Sequence, residues 1–243
     1  MPPPRPRVHP APPEDGLHRP EVIAHRGLPR EYPENTIPGF SAALLAGADA
    51  LELDVHATRD GVVVVHHDPD VRGPGEADRW RIRDLTWDEL RALPAAREIP
   101  RLADVLEMVD GRARVYVEVK AVGIEDLVVQ LVTERADWCA VHSFDHRTVA
   151  RVRQRAPHVR TGVLMSSYLL DPLAPLRDSG AQDLWQHVSQ LDEPLVRAAH
   201  EWGAQVIAWT VNDAEVARQC ADWGVHGVCT DVTKDMVRVV RLD

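Results

Sequence analysis

The segment 193–230, EPLVRAAHEWGAQVIAWTVNDAEVARQCADWGVHGVCT, carries the pattern on which the fold turns. Glu193–Trp202 has helically spaced apolar residues and stops at Gly203, a residue suited to the left-handed turn that ends a helix. A β-branched run, Gln205–Val211, follows at once. Ala214–Trp223 is again helical and stops at Gly224, and Gly227–Thr230 is again strand-like. Helix and strand in strict alternation, with short connections, is the signature of parallel strands backed by helices.

The same alternation extends upstream. Val22–Ala24 is a short apolar run. Asn35-Thr36 offers a helix cap, Pro38 suits a first turn, and Phe40–Ala46 runs to Gly47. Ala50–Thr58 and Val62–His66 read as the second and third strands. Thr86-x-x-Glu89 is a capping box, and Glu125–Ala136 is helical. Val115–Lys120, Cys139–Phe144 and Thr161–Met165 are further strands. About eight alternations over about 220 residues predict an α/β fold, a closed parallel (β/α)8 barrel. The alternative is an open doubly wound sheet. No G-x-G-x-x-G follows the first strand and no Walker loop appears, which weighs against its nucleotide-binding version.

A chain of 243 residues suits one large domain, and 44% hydrophobic with 27% charged residues is ordinary globular composition. Residues 1–20 contain eight prolines and little periodicity, so we expect a disordered tail and one domain over 21–243. The balance of 38 acidic to 28 basic residues repels nucleic acid and anionic lipid, yet leaves room for a small anion in a locally basic pocket. No run of about 18 apolar residues exists, so no membrane insertion is expected. The N-terminus lacks the apolar core of a secretory signal, and Cys139, Cys220 and Cys229 are too scattered for a disulfide framework or zinc site. The expected compartment is the cytoplasm. Nothing marks an oligomeric state.

In a parallel barrel, chemistry sits at the C-terminal ends of the strands. His25-Arg26-Gly27 follows the first strand and supplies an acid or base, a planar anion-binding fork and a flexible turn. In Glu52-Leu53-Asp54, residues two apart share a strand face, so both carboxylates point at the barrel axis. Two buried carboxylates repel one another unless a cation lies between them, so we expect metal ligands. Glu118 and Lys120 share a face by the same argument; Glu118 would complete the metal site and Lys120 would neutralise an anionic substrate. His66 and His67 point to opposite faces, and parity alone does not choose between them. An all-carboxylate site favours one hard divalent cation, Ca2+ or Mg2+. With the histidines and cationic side chains, this is a set suited to cleaving a phosphate ester.

At this point the sequence resembles the glycerophosphodiester phosphodiesterase family. His25-Arg26-Gly27, Pro33-Glu34-Asn35-Thr36, Glu52-Leu53-Asp54-Val55, Thr58-Arg59-Asp60-Gly61 and His67-Asp68 follow its N-terminal signature in order and spacing. Ile99-Pro100-Arg101-Leu102, Glu118-Val119-Lys120, Ser143-Phe144-Asp145, Trp209-Thr210-Val211-Asn212 and Gly227-Val228-Cys229-Thr230-Asp231 continue it, over roughly residues 21–235. The resemblance implies a TIM-type barrel with a small insertion after the third strand, about Pro69–Arg101. It implies that His25 and His67 are the catalytic pair, with His66 structural, and that Glu52, Asp54 and Glu118 hold the metal. It assigns Arg26 and Lys120 to the phosphate, Trp209 to the glycerol side of the pocket, and a polar contact to Asn35. The expected reaction is metal-dependent hydrolysis of a glycerophosphodiester to glycerol 3-phosphate and an alcohol. Lysophospholipase D-type cleavage of lysolipids and a non-catalytic barrel binding a phosphorylated metabolite are the alternatives. The segment Asp183–Leu191 follows the family only loosely; Trp185 and His187 there are either pocket or core residues.

Overall fold

A computed structural model describes residues 19–75 and 78–242. The proline-rich stretch lies outside the described residues except for Arg19 and Pro20. In chain order come β1 (Glu21–His25), α1 (Ile37–Leu45), β2 (Ala50–Ala57), β3 (Val63–Val65), β4 (Asp70–Arg72), β5 (Arg79–Arg81), α2 (Trp87–Ala92) and α3 (Leu102–Val109). Then follow β6 (Arg114–Val119), α4 (Glu125–Val132), β7 (Cys139–Ser143), α5 (His146–Arg155), β8 (Arg160–Met165) and α6 (Ala174–Ser179). The chain ends with β9 (Asp183–His187), α7 (Glu193–Trp202), β10 (Gln205–Trp209), α8 (Ala214–Asp222), β11 (Gly227–Thr230) and α9 (Thr233–Leu242).

Eight strands pair in parallel in the order β1-β11-β10-β9-β8-β7-β6-β2, and β2 closes the ring on β1. This is the (β/α)8 barrel that the alternation predicts. Helix ends follow the sequence signals at Thr36, which caps α1 on Gly39 N, and at Gly203, which ends α7 at φ +90°; the structure adds Asp192, capping α7 on Leu195 N, and Asp213, capping α8 on Glu215 N and Val216 N.

One expected strand is not a stave. The valine run forms β3, which pairs antiparallel with the end of β2, Val55 opposite Val65. Only residues 58–62 separate the two strands. So short a connection can only return antiparallel, because a parallel crossover needs a dozen or more residues. The missing stave is β9, within the loosely patterned segment. The stretch after β3 is the expected insertion: a β4–β5 hairpin, then α2 with its Thr86–Glu89 capping box, packed on a small core of Val64, Val71, Ile82, Leu90, Ala96 and Ile99.

The alternation along the staves sorts the interior into layers. Leu51, Leu53 and Val55 pack outward with helix residues such as Val105 and Val128. The lower axial layer is apolar: Ile23, Ala50, Tyr116, Ala140, Leu164, Trp185, Ile207 and Cys229. Two residues further along each strand the positions are His25, Glu52, Glu118, His142, Ser166, His187, Trp209 and Asp231. The period of two therefore delivers a polar layer on top of a dry plug. Trp185 fills the axis, and a Cβ built on Gly162 would lie 2.8 Å from its Cδ1. Gly162→Ala must push Trp185 aside, at a cost of about 1–3 kcal/mol for overpacking. Urea unfolding checks this; unchanged stability would show that the plug gives way freely.

Among the described residues no helix is long and apolar enough to cross a membrane. The three cysteines are buried and unpaired.

Candidate active site

The loop after β1 is held in an uncommon backbone conformation. Arg26 and Asn35 have φ of +55° and +58°, and Gly27 has +93°. A Cβ on Gly27 would come within 2.9 Å of the Gly39 backbone, so only glycine lets the loop lie this close to α1. Non-glycine residues held there are strained, a feature that clusters at functional sites.

This loop delivers Arg26 and Asn35 to Asp54. Arg26 Nε lies 3.0 Å from Asp54 Oδ2, and Asn35 Nδ2 donates to the same oxygen at 2.9 Å. Lys120 Nζ stands 3.5 Å from Asp54 Oδ1 and 2.9 Å from Glu118 Oε1. Burial alone would push the Asp54 carboxyl up, but the Arg26 and Lys120 charges and the Asn35 hydrogen bond bring it below the ordinary value.

Glu52 has no such cation at hand. Burial first, then the Asp54 charge, pushes it up to about 7. Glu118, buried and facing Glu52, is pushed up to about 6. Glu118 shares the Lys120 ammonium with Asp54, and the positive charge nearby does not offset burial and mutual repulsion at either carboxyl, the condition a bound cation would relieve.

His25 is the register partner of Glu52 on the adjacent strand, with Nε2 3.9 Å from Glu52 Oε2. Its Nδ1 lies 2.6 Å from Asp231 Oδ1, and Asn212 Nδ2 donates to Asp231 Oδ2 at 2.8 Å. Burial disfavours the charged imidazole, yet the Asp231 hydrogen bond and the Glu52 charge lift His25 above its ordinary value. An Nδ1–H held on Asp231 leaves Nε2 free to exchange a proton over the site.

His67 sits beyond β3 at the rim. The His66 N–H donates to the Asp54 carbonyl at 2.9 Å, which extends this segment along β2. His67 Nδ1 lies 2.9 Å from Asp68 Oδ1, and its carbonyl is 3.0 Å from His56 Nε2. Trp209 lies across the mouth, its Nε1 donating to the Trp185 carbonyl at 3.2 Å, with Phe144 and His187 edge-on at 5.4 and 4.9 Å. His187 thus belongs to the rim, whereas Trp185 is core.

The structure therefore gathers His25, Arg26, Asn35, Glu52, Asp54, Glu118 and Lys120 around one point, with His67 and Trp209 at its edge. Two neighbours were not singled out from the sequence. Asp231 orients His25, and buried His142 lies beside the carboxylates. Ligand atoms of Glu52, Glu118 and His142 fall within 4.8 Å of one another. Parity along β7 could have found His142, the inward position next to Glu118.

Comparison with known proteins matches this architecture. The model of the glycerophosphoryl diester phosphodiesterase family matches residues 25–235. A glycerophosphodiester phosphodiesterase of Caldanaerobacter subterraneus subsp. tengcongensis is 31% identical over 237 residues, covering 90% of this chain and 97% of that relative. The crystal structure of a glycerophosphodiester phosphodiesterase from Thermotoga maritima superimposes with a TM-score of 0.79 at 27% identity, covering 92% of this chain and 100% of the other. One from Parabacteroides distasonis gives 0.81 at 26%, covering 93% and 99%. With the family model spanning every strand end described above, this chain belongs to the glycerophosphoryl diester phosphodiesterase family and is a phosphoric diester hydrolase.

Proposed function

We propose that the protein hydrolyses small glycerophosphodiesters to glycerol 3-phosphate and an alcohol, with one divalent cation, Ca2+ or Mg2+, bound by Glu52, Asp54 and Glu118. The observation that carries the reading is the pair of buried carboxyls, Glu52 and Glu118, held above their ordinary values beside an Arg26–Asp54–Lys120 ion cluster. Such a donor set fits a hard cation. When bound, the cation would polarise the phosphoryl oxygens and acidify a coordinated hydroxyl.

The remaining roles fall to this chain's own side chains. Arg26 and Lys120 bind the phosphate, and both have hydrogen-bonding capacity to spare beyond Asp54. One of His25 and His67 takes a proton from the nucleophile, which is water or the glycerol hydroxyl next to the phosphate. The other gives a proton to the departing alcohol. An acid and a base of this kind yield a bell-shaped pH profile. Asn35 holds Asp54 in place, and Trp209 lines the glycerol side of the mouth. Three buried, unpaired cysteines support a reducing compartment, the cytoplasm.

Product identity tests the reading. Glycerophosphocholine should give glycerol 3-phosphate and choline; glycerol and phosphocholine would place the scissile bond on the wrong side. A second reading, cleavage of lysolipids, is favoured by one observation. Val122, Phe144, Tyr168, Leu169 and Leu170 are exposed, and all lie on loops that follow stave C-terminal ends. Turnover of lysophosphatidylcholine faster than glycerophosphocholine would select it.

The carboxylates also predict a pH dependence. Unfolded, Glu52 and Glu118 return to about 4.5. The metal-free barrel therefore holds extra protons above that pH. The stability they lend is full below about 4.5 and is lost as the pH rises through about 6 and about 7. His142, pushed down to about 4 by burial, acts oppositely: its contribution is present above its ordinary 6.5 and is lost as the pH falls toward 4. A cation needs both carboxylates ionised, so it binds more tightly and releases protons as the pH rises through this window. The gain in Tm on adding Ca2+ should grow between about pH 5 and about pH 8. A gain independent of pH would contradict the assignment.

A further inference from the structure

We infer that His142 gives this cation site a nitrogen donor, and that the site therefore favours a borderline first-row cation such as Co2+ or Zn2+ over Ca2+. The inference rests on the cation reading above and adds a ligand to it.

Strand register places the imidazole. Glu118 on β6 pairs with His142 on β7, and both lie in the polar axial layer that also holds Glu52. His142 Nε2 is 3.7 Å from Glu52 Oε1. One ligand atom from each of Glu52, Glu118 and His142 falls within 4.8 Å of the others, and all three residues are buried. That spacing brackets a single ion, since coordinating atoms lie about 2.0–2.5 Å from such metals.

The ring is fixed in this orientation from below. It stacks on Trp185 with centroids 4.3 Å apart and planes within 6°. Trp185 is itself wedged against Gly162 and edge-on to Tyr116. Yet the imidazole makes no compensating polar contact. Nδ1 has no hydrogen-bond partner, and 3.7 Å at Nε2 is too long for a hydrogen bond. A fully buried imidazole left in that condition is costly unless something binds it. Aromatic packing alone explains the stacking but not why the polar edge faces two carboxylates.

Asp54 points the same way. Its Oδ2 is held by Arg26 and Asn35, but its buried Oδ1, 3.5 Å from Lys120 Nζ, has no hydrogen-bond partner, so His142 adds a nitrogen to the oxygens of Glu52, Asp54 and Glu118. Ca2+ prefers six to eight oxygens, whereas imidazole raises affinity for first-row transition ions.

The test measures binding and coordination by the full chain after metal removal, without reference to turnover. Mn2+ is added and its electron spin echo is examined for coupling to an imidazole nitrogen, in unlabelled protein and in protein grown with isotopically labelled histidine. The coupling should be present, change with the label, vanish in His142→Gln and persist in His25→Gln. In His142→Gln, Co2+ binding should weaken by at least about 10-fold while Ca2+ binding stays within about 2-fold. The His25→Gln comparison keeps the attribution open to test if His142→Gln fails to fold. Mn2+ bound with no histidine coupling, or coupling lost in His25→Gln instead, would overturn the inference and leave the carboxylate site standing. No binding of Mn2+, Co2+, Zn2+, Mg2+ or Ca2+ would overturn the cation reading and the inference together.

Discussion

Substitution of His25 or His67 by alanine should lower kcat about 10²–10⁴-fold, the size of one general acid–base contribution. The two losses should differ in their companions. Asp231 and Glu52 flank His25, so His25→Ala removes a group held in a fixed network next to the buried carboxylates. His67 stands at the rim against Asp68, on a segment tied to β2 by one backbone hydrogen bond from His66 to Asp54. KM should change far less in both variants, because Arg26 and Lys120, the proposed phosphate ligands, remain. Steady-state kinetics on glycerophosphocholine decide it. Full activity in either variant removes that histidine from the mechanism.

The second large effect is on stability. At the other end of the barrel, Asp183 is fully buried at the start of β9 and receives Arg160 Nε at 2.9 Å on both carboxylate oxygens. Arg160 is itself only 15% exposed. Removing one partner strands the other charge, so Asp183→Ala should destabilise the fold by about 3–5 kcal/mol. That is a large share of the roughly 5–15 kcal/mol by which a domain is stable. Replacing both partners, Asp183→Leu with Arg160→Met, should recover most of the loss, since a buried ion pair is often no better than an apolar pair of like shape. Chemical denaturation of the single and double variants measures both. A single-variant loss under about 1 kcal/mol would mean that Arg160 finds water by extending outward.

Much of this fold is legible in the sequence because local and tertiary signals agree. Glycine stops, threonine caps and β-branched runs each mark the element that forms. The valine run after β2 misleads because period and composition say strand but not stave; the length of the turn before it decides. Asp183–His187 is harder to read for the opposite reason. Its ends are polar because one binds Arg160 and the other reaches the rim, so the strand shows apolar character only at Leu184 and Trp185.

The site divides in the same way. Glu52, Asp54, Glu118 and Lys120 can be placed by counting in twos along strands. His142 answers to the same count but lies on a strand whose sequence, CAVHS, offers no second acidic residue to draw attention to it. Asp231 escapes because its partner, His25, is 206 residues away and only closure of β1 on β11 brings them together.

Glycerol 3-phosphate release from glycerophosphocholine, by the full chain stripped with EDTA and then given back a divalent cation, tests the account most directly. The account predicts no release from the stripped protein, recovery on adding the cation, and no recovery in Glu52→Gln. Release that EDTA leaves unchanged, or folded protein that stays silent with every cation offered, would contradict it.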